Sequence, residues 1–146
     1  MKTAEAVKPI EILLVEDNPD DVELTSESLK GMSLDYRLRV VEDGVEAMAY
    51  LRQKGKYAKV LRPDVILLDL KLPRKDGHEV LREIKTDPML KRIPVVVFTT
   101  SKDEGDVFMA YHNYASCYVV KPMDLNQLLE VAKWLENWLK VVRLPK

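Results

Sequence analysis

Short runs of β-branched and other apolar residues alternate five times with amphipathic stretches, and this alternation restricts the fold more than any other feature of the chain. The strand candidates are Ile10–Val15, Tyr36–Val41, Val65–Leu68, Val95–Thr99 and Cys117–Val120. Several are nearly unbroken Val, Ile and Leu, the pattern of strands covered on both faces in a parallel sheet. The stretches Asp21–Lys30, Val45–Lys54, His78–Asp87, Glu104–Tyr111 and Leu125–Val142 carry helical spacing. Asp43-Gly44, Asp76-Gly77 and Asp124 stand where helix N-caps belong, and Gly31 where a glycine would close the first helix.

Alternating strands and helices imply a doubly wound α/β sheet, with right-handed crossovers and helices on both faces. Five such units predict a flavodoxin-like (βα)5 fold with strand order 2-1-3-4-5. The division expected is an N-terminal tail over residues 1–9 and one domain over residues 10–146 with an extended last helix. The basic segment Lys54–Pro63 reads as a loop. With 146 residues, 47% of them apolar, the chain can bury a core. Its 23 basic and 24 acidic residues nearly cancel, so no bulk charge favours nucleic acid or a membrane surface. Cys117 is the single cysteine. The tail lacks the apolar stretch of a signal peptide, and no run approaches the roughly 20 residues that span a bilayer. These features predict a cytoplasmic protein.

In such a sheet, ligands bind at the carboxyl ends of the strands. Those ends carry Glu16-Asp17, Asp69, Thr99-Thr100 and Lys121-Pro122. Three carboxylates on one rim repel each other unless a cation sits among them, and a hard divalent ion such as Mg2+ suits oxygen ligands with room left for phosphate. Phosphoryl-transfer chemistry then suggests the roles. Asp69 would be the carboxylate nucleophile. Glu16, Asp17, Asp69 and the backbone carbonyl of Lys71 would hold the metal, and Thr99 and Lys121 would contact the phosphate. Thr100 reads as a structural neighbour. His78 and His112 lack metal-ligand spacing and read as ordinary surface or boundary residues.

The segments LLVEDNPDD (13–21), DVILLDLKLPRKDG (64–77), IPVVVFTTS (93–101) and CYVVKP (117–122) resemble bacterial response-regulator receiver domains over nearly the whole chain. The resemblance implies phosphorylation of Asp69 by a sensor histidine kinase, with Mg2+, or Mn2+ in its place, as cofactor. It also implies a switch in which Thr99 and Tyr118 move together. The phrases RPDVILLDLKLPRKDGHEVL and LKRIPVVVFTTS are similar to those of the stand-alone regulators paired with cyanobacterial phytochromes, which implies a phytochrome as the kinase. A relay intermediate and a non-phytochrome kinase are the alternatives. A phosphatase of the haloacid-dehalogenase type is more distant, because Lys71 stands where those enzymes need a second acid. A flavodoxin-like electron carrier lacks its phosphate loop here.

The fourth helix is apolar around its circumference, with Val107, Phe108, Met109, Ala110 and Tyr111 in succession. The last helix carries a core stripe, then a second stripe of Val131, Trp134, Trp138 and Val141. Lys133, Glu136, Asn137 and Lys140 fall on the side expected to face water. One domain has too few layers to cover both stripes. We therefore expect a homodimer through Val107, Phe108, Tyr111, Tyr118, Val131, Trp134, Trp138 and Val141.

Overall fold

The computed structural model describes residues 9–31, 35–121, 126, 130, 133, 134, 136 and 137. Its strands are β1 (Ile10–Val15), β2 (Tyr36–Val41), β3 (Val65–Leu68), β4 (Val95–Thr99) and β5 (Cys117–Val120), each with the bounds read from the sequence. They form one parallel sheet in the order β2-β1-β3-β4-β5. The helices are α1 (Pro19–Leu29), α2 (Gly44–Leu51), α3 (Gly77–Thr86) and α4 (Glu104–His112), with a 3-10 turn over Gly55–Tyr57 inside the expected loop. Most of the stretch 125–142 and the Asp124 cap before it lie outside the described residues, though Asn126, Glu130, Lys133, Trp134, Glu136 and Asn137 are helical.

Local chemistry explains where the helix ends differ from the periodicity. The first helix begins at Pro19 and not Asp21, because Asn18 accepts from the Asp20 and Asp21 N–H groups and proline suits the first helical position. Asp43, Asp76 and Asp103 cap α2, α3 and α4 in the same way. The second helix ends at Leu51, short of Lys54, and Gln53 beyond it takes a φ of 57°. Gly31 follows the α1 C-cap, and its N–H bonds the Ser28 carbonyl at 3.2 Å.

Strands β1, β3 and β4 are buried from end to end except for Ile10, while β2 and β5 form the less covered edges. Alternate side chains of the central strands feed two cores. Leu13, Val15, Ile66, Leu68, Val95 and Val97 pack with Leu51, Val80, Leu81 and Ile84 on one face. Ile12, Leu14, Val65, Leu67 and Val96 pack with Leu29 on the other. Each such side chain contributes about 1.5–3 kcal/mol by leaving water.

One glycine seats α3 against the end of β3. A Cβ at Gly77 would lie 2.4 Å from the Asp69 carbonyl oxygen and 2.5 Å from the Leu70 Cα, both backbone atoms that cannot rotate away. Gly77→Ala should therefore cost roughly 1–3 kcal/mol, the usual penalty of overpacking. Urea denaturation checks this, and an unchanged midpoint would contradict the close packing.

Candidate functional site

Parallel pairing brings every strand's carboxyl end to one rim. The Glu16 N–H bonds the Val41 carbonyl at 3.0 Å, the Asp69 N–H bonds the Val15 carbonyl at 3.1 Å, and the Lys121 N–H bonds the Thr99 carbonyl at 2.7 Å. Backbone ladders thus continue one residue past the strands and hold Glu16, Asp69 and Lys121 in register. Glu16, Asp17 and Asp69 each offer a carboxylate oxygen within 4.8 Å of the others. Glu16 and Asp69 are buried, while Asp17 faces solvent.

The cation among them is Lys121, only 5% exposed. Its Nζ lies 2.6 Å from Glu16 Oε1, 2.9 Å from Asp21 Oδ2 and 3.5 Å from Asp69 Oδ2. Burial alone would depress this ammonium, but hydrogen bonds to Glu16 and Asp21 and the charge of Asp69 outweigh it, and its pKa ends above the ordinary lysine value. The resulting stability is fully present below that ordinary value and fades only as pH rises through the folded one, so the set is intact at neutral pH. Glu16 is pushed upward, by burial first and then against the pull of Lys121 by the Asp69 charge. Its second oxygen accepts the Asn18 N–H at 3.1 Å.

Lys71 enters the site through its backbone, its N–H donating to Asp69 Oδ1 at 3.2 Å. Thr99 is fully buried, and its Oγ1 accepts the Ser101 N–H at 3.4 Å, whereas Thr100 is exposed. Tyr118 is half-buried against the α2–α3 core and donates its hydroxyl to the Ser101 carbonyl at 3.0 Å. The rim therefore combines a strand-end carboxylate, two neighbouring acids, an ammonium and a hydroxyl. The donor set is all oxygen, with excess negative charge and one acid open to water, which fits a hard divalent ion.

Two contributors escaped the sequence reading. Asp21 binds Lys121 because α1 starts earlier than expected and turns its first residues toward the rim. An acidic pair inside a capped first turn was the available signal. His78 is half-buried, a boundary residue as expected, but its Nε2 lies 2.9 Å from Asp106 Oδ1 across the α3–α4 boundary, a contact its spacing did not reveal. Of the expected dimer face, Phe108, Tyr111 and Trp134 are exposed, while Val107 and Tyr118 are half-buried. Val131, Trp138 and Val141 lie outside the described residues. Glu136 is buried, not on the solvated side, and is not without a partner, as a charge removed from water requires.

The model of the response regulator receiver domain matches residues 12–133. The chain belongs to the receiver family. This receiver is 49% identical over 142 residues to the response regulator Rcp1 of Synechocystis sp. (strain PCC 6803), covering 97% of each chain. The crystal structure of Rcp1 in its Mn2+-bound form superposes with a TM-score of 0.86, covering 94% of this chain and all of that one (100%). That of the phosphorylated cyanobacterial phytochrome response regulator RcpA superposes with a TM-score of 0.88 at 50% identity, covering 95% and 100%. The chain is also 41% identical over 144 residues to the probable methanogenesis regulatory protein FilR2 of Methanothrix harundinacea, covering 97% of this chain and 91% of that one. Among the described residues no helix is long and apolar enough to cross a membrane.

Lys121→Met would leave Glu16 and Asp69 facing each other without their ammonium. Stability at neutral pH should fall by about 3–5 kcal/mol, the cost of breaking a buried ionic set. Glu16, already raised, should rise further, and a group with a raised folded pKa favours the native state as pH falls. The variant should therefore regain part of the loss as pH falls from neutrality toward the ordinary carboxylate range. Chemical denaturation across that range measures it, and a deficit that deepens on acidification would contradict the charge argument.

Proposed function

We propose that this receiver takes a phosphoryl group onto Asp69 from a phosphohistidine of a sensor histidine kinase, and that the resulting state is read through α4, β5 and the last helix. The observation that carries this reading is the shared rim, where Asp69 stands among two more acids within 4.8 Å and beside a buried ammonium. Glu16, Asp17, Asp69 and the Lys71 carbonyl are the ligands proposed for Mg2+ or Mn2+. A bound divalent ion neutralises the transferring oxygens and relieves the repulsion among the carboxylates.

An Asp69 carboxylate oxygen attacks phosphorus as the phosphorus–nitrogen bond breaks, and the bonding pair leaves with the imidazole nitrogen. The product is an acyl phosphate. Lys121, already 3.5 Å from Asp69 Oδ2, supplies a positive charge to one new phosphate oxygen, and the Thr99 hydroxyl donates to another. The same groups position water for hydrolysis of the acyl phosphate, so the chain assists its own dephosphorylation while remaining a signalling protein. Withdrawal of Thr99 toward the phosphate frees space for Tyr118 to turn, a two-state element biased by one local change of charge. We propose that residues 10–146 form this single receiver unit and that it works in the cytoplasm.

Likeness to Rcp1 and RcpA supports a phytochrome as the kinase. The alternative is another kinase or a step within a longer relay, and a likeness of 41% to FilR2 reaches a protein named for methanogenesis regulation. A haloacid-dehalogenase-type phosphatase is disfavoured, because Lys71 contributes an N–H and a basic side chain where that chemistry needs an acid. The homodimer proposed rests on Phe108, 66% exposed, with Tyr111 and Trp134 also exposed. Large aromatics in water favour a partner.

Incubated with acetyl phosphate and Mg2+, the protein should shift on a phosphate-affinity gel, and either chelation or Asp69→Asn should abolish the shift. A labelled Asp69→Asn protein would overturn the assignment. Sedimentation velocity at micromolar concentration should show a dimer that Phe108→Asp weakens by about tenfold or more. A monomer in both phosphorylated and unphosphorylated forms would sink the dimer.

A further inference from the structure

A polar chain leaves the rim at Thr99 and ends on a different helix. Ser101, buried, is its hub. The Ser101 N–H donates to Thr99 Oγ1 at 3.4 Å, its carbonyl accepts the Tyr118 hydroxyl at 3.0 Å, and its own hydroxyl donates to the Asp106 carboxylate. Ser101 Oγ also accepts the N–H of Asp103, the α4 cap, at 3.2 Å. The other Asp106 oxygen lies 2.9 Å from His78 Nε2. One serine and one imidazole therefore join Thr99, Tyr118, α4 and α3.

The chemistry of each atom sets its role. Asp106 is held below the usual carboxylate range by the Ser101 hydroxyl first and by His78 second, so it is an acceptor only. His78 Nε2 must then carry the hydrogen in their bond. His78 Nδ1 is buried and has no hydrogen-bond partner. A buried nitrogen without a partner disfavours this placement of the ring, and the contact across to Asp106 is what the placement achieves. His78 also sits one residue beyond Gly77, whose N–H bonds the Leu70 carbonyl at 2.9 Å and where a Cβ would strike the backbone of Asp69 and Leu70. The imidazole is thus anchored to the end of β3 on one side and grips the first turn of α4 on the other.

We propose that His78 is a positioning residue: with Asp106 and Ser101 it forms a latch that ties the N-terminus of α4 to both sides of the Asp69 rim. When Thr99 turns toward a phosphoryl group, the Ser101 N–H loses its acceptor and the Ser101 end of the latch loosens. The His78 end stays anchored through Gly77 and limits how far α4 moves. The second half of this proposal rests on Asp69 as phosphoacceptor; the tie of α4 in the unmodified protein does not.

Hydrogen exchange of the amides of residues 104–112, with and without beryllium fluoride plus Mg2+ as a phosphoryl mimic, tests the latch. His78→Ala should raise α4 exchange about tenfold in the unmodified protein, and the mimic should then raise it further than it does in the parent, because the tie that limits α4 is gone. His78→Gln, which can still offer an N–H to Asp106, should restore most of the protection. Asp106→Ala should reproduce the alanine effect from the other side. The latch is refuted if α4 exchange in His78→Ala stays within about twofold of the parent, or if protection falls evenly across β3, β4 and α3. Failure of glutamine to rescue also refutes it, since ring packing and not the hydrogen bond would then matter. A response of α4 to the mimic in His78→Ala no larger than the parent's overturns the coupling half alone. If the parent itself shows no response, the phosphoacceptor reading fails, and the comparison of unmodified proteins still decides the latch.

Discussion

Lys121 gathers carboxylates from three separate segments: Glu16 past the end of β1, Asp21 in the first turn of α1, and Asp69 past the end of β3. At an effective dielectric of about 20, two like charges some 5 Å apart repel by about 3 kcal/mol. Without the ammonium, the rim would open, or its acids would take up protons. The residue after β5 supplies it, since parallel pairing from β1 through β3 and β4 to β5 brings their carboxyl ends to one rim. The strand order and the chemistry of the rim are one constraint seen at two scales. The same arrangement suits a switch, since a charge set held in balance responds to any further charge placed in it.

Backbone packing makes that balance rigid. The cores on either face leave the central strands no slack, and Gly77 brings α3 to within contact of the Asp69 carbonyl. A small displacement at the end of β3 is consequently passed to α3 and not absorbed locally, because close-packed interiors shift between arrangements more readily than they deform. On the other side Ser101 links the buried Thr99 hydroxyl with Tyr118 and with α4. A steric route thus runs from the rim to α3 and a polar one to α4, whose aromatic residues Phe108 and Tyr111 lie in water.

Much of this was legible beforehand. The strands could be read to their bounds, since Val65–Leu68 and Val95–Thr99 are too apolar and too β-branched to lie anywhere but in a covered sheet. Strand order then assigned the acids, Thr99 and Lys121 to one rim. Helix starts were less legible where capping competes with periodicity, as at Asn18-Pro19. Glu136 is buried where its periodicity pointed to water, and the partners of Asp21 and His78 were not legible, for a common reason. Periodicity tells which side of its own helix a residue occupies, and nothing about which other element lies opposite.

Sequence alone thus determined the alternation of elements, the parallel order and the residue types at each strand end, because these depend on spacing and on local propensity. Tertiary structure alone decided that Lys121 chooses Glu16 and Asp21 over Asp69 as its nearest partners, and that His78 reaches Asp106. Those choices turn on a few tenths of an ångström between elements distant in the chain. Side-chain rotamers and helix placement set such distances only when the whole core is packed.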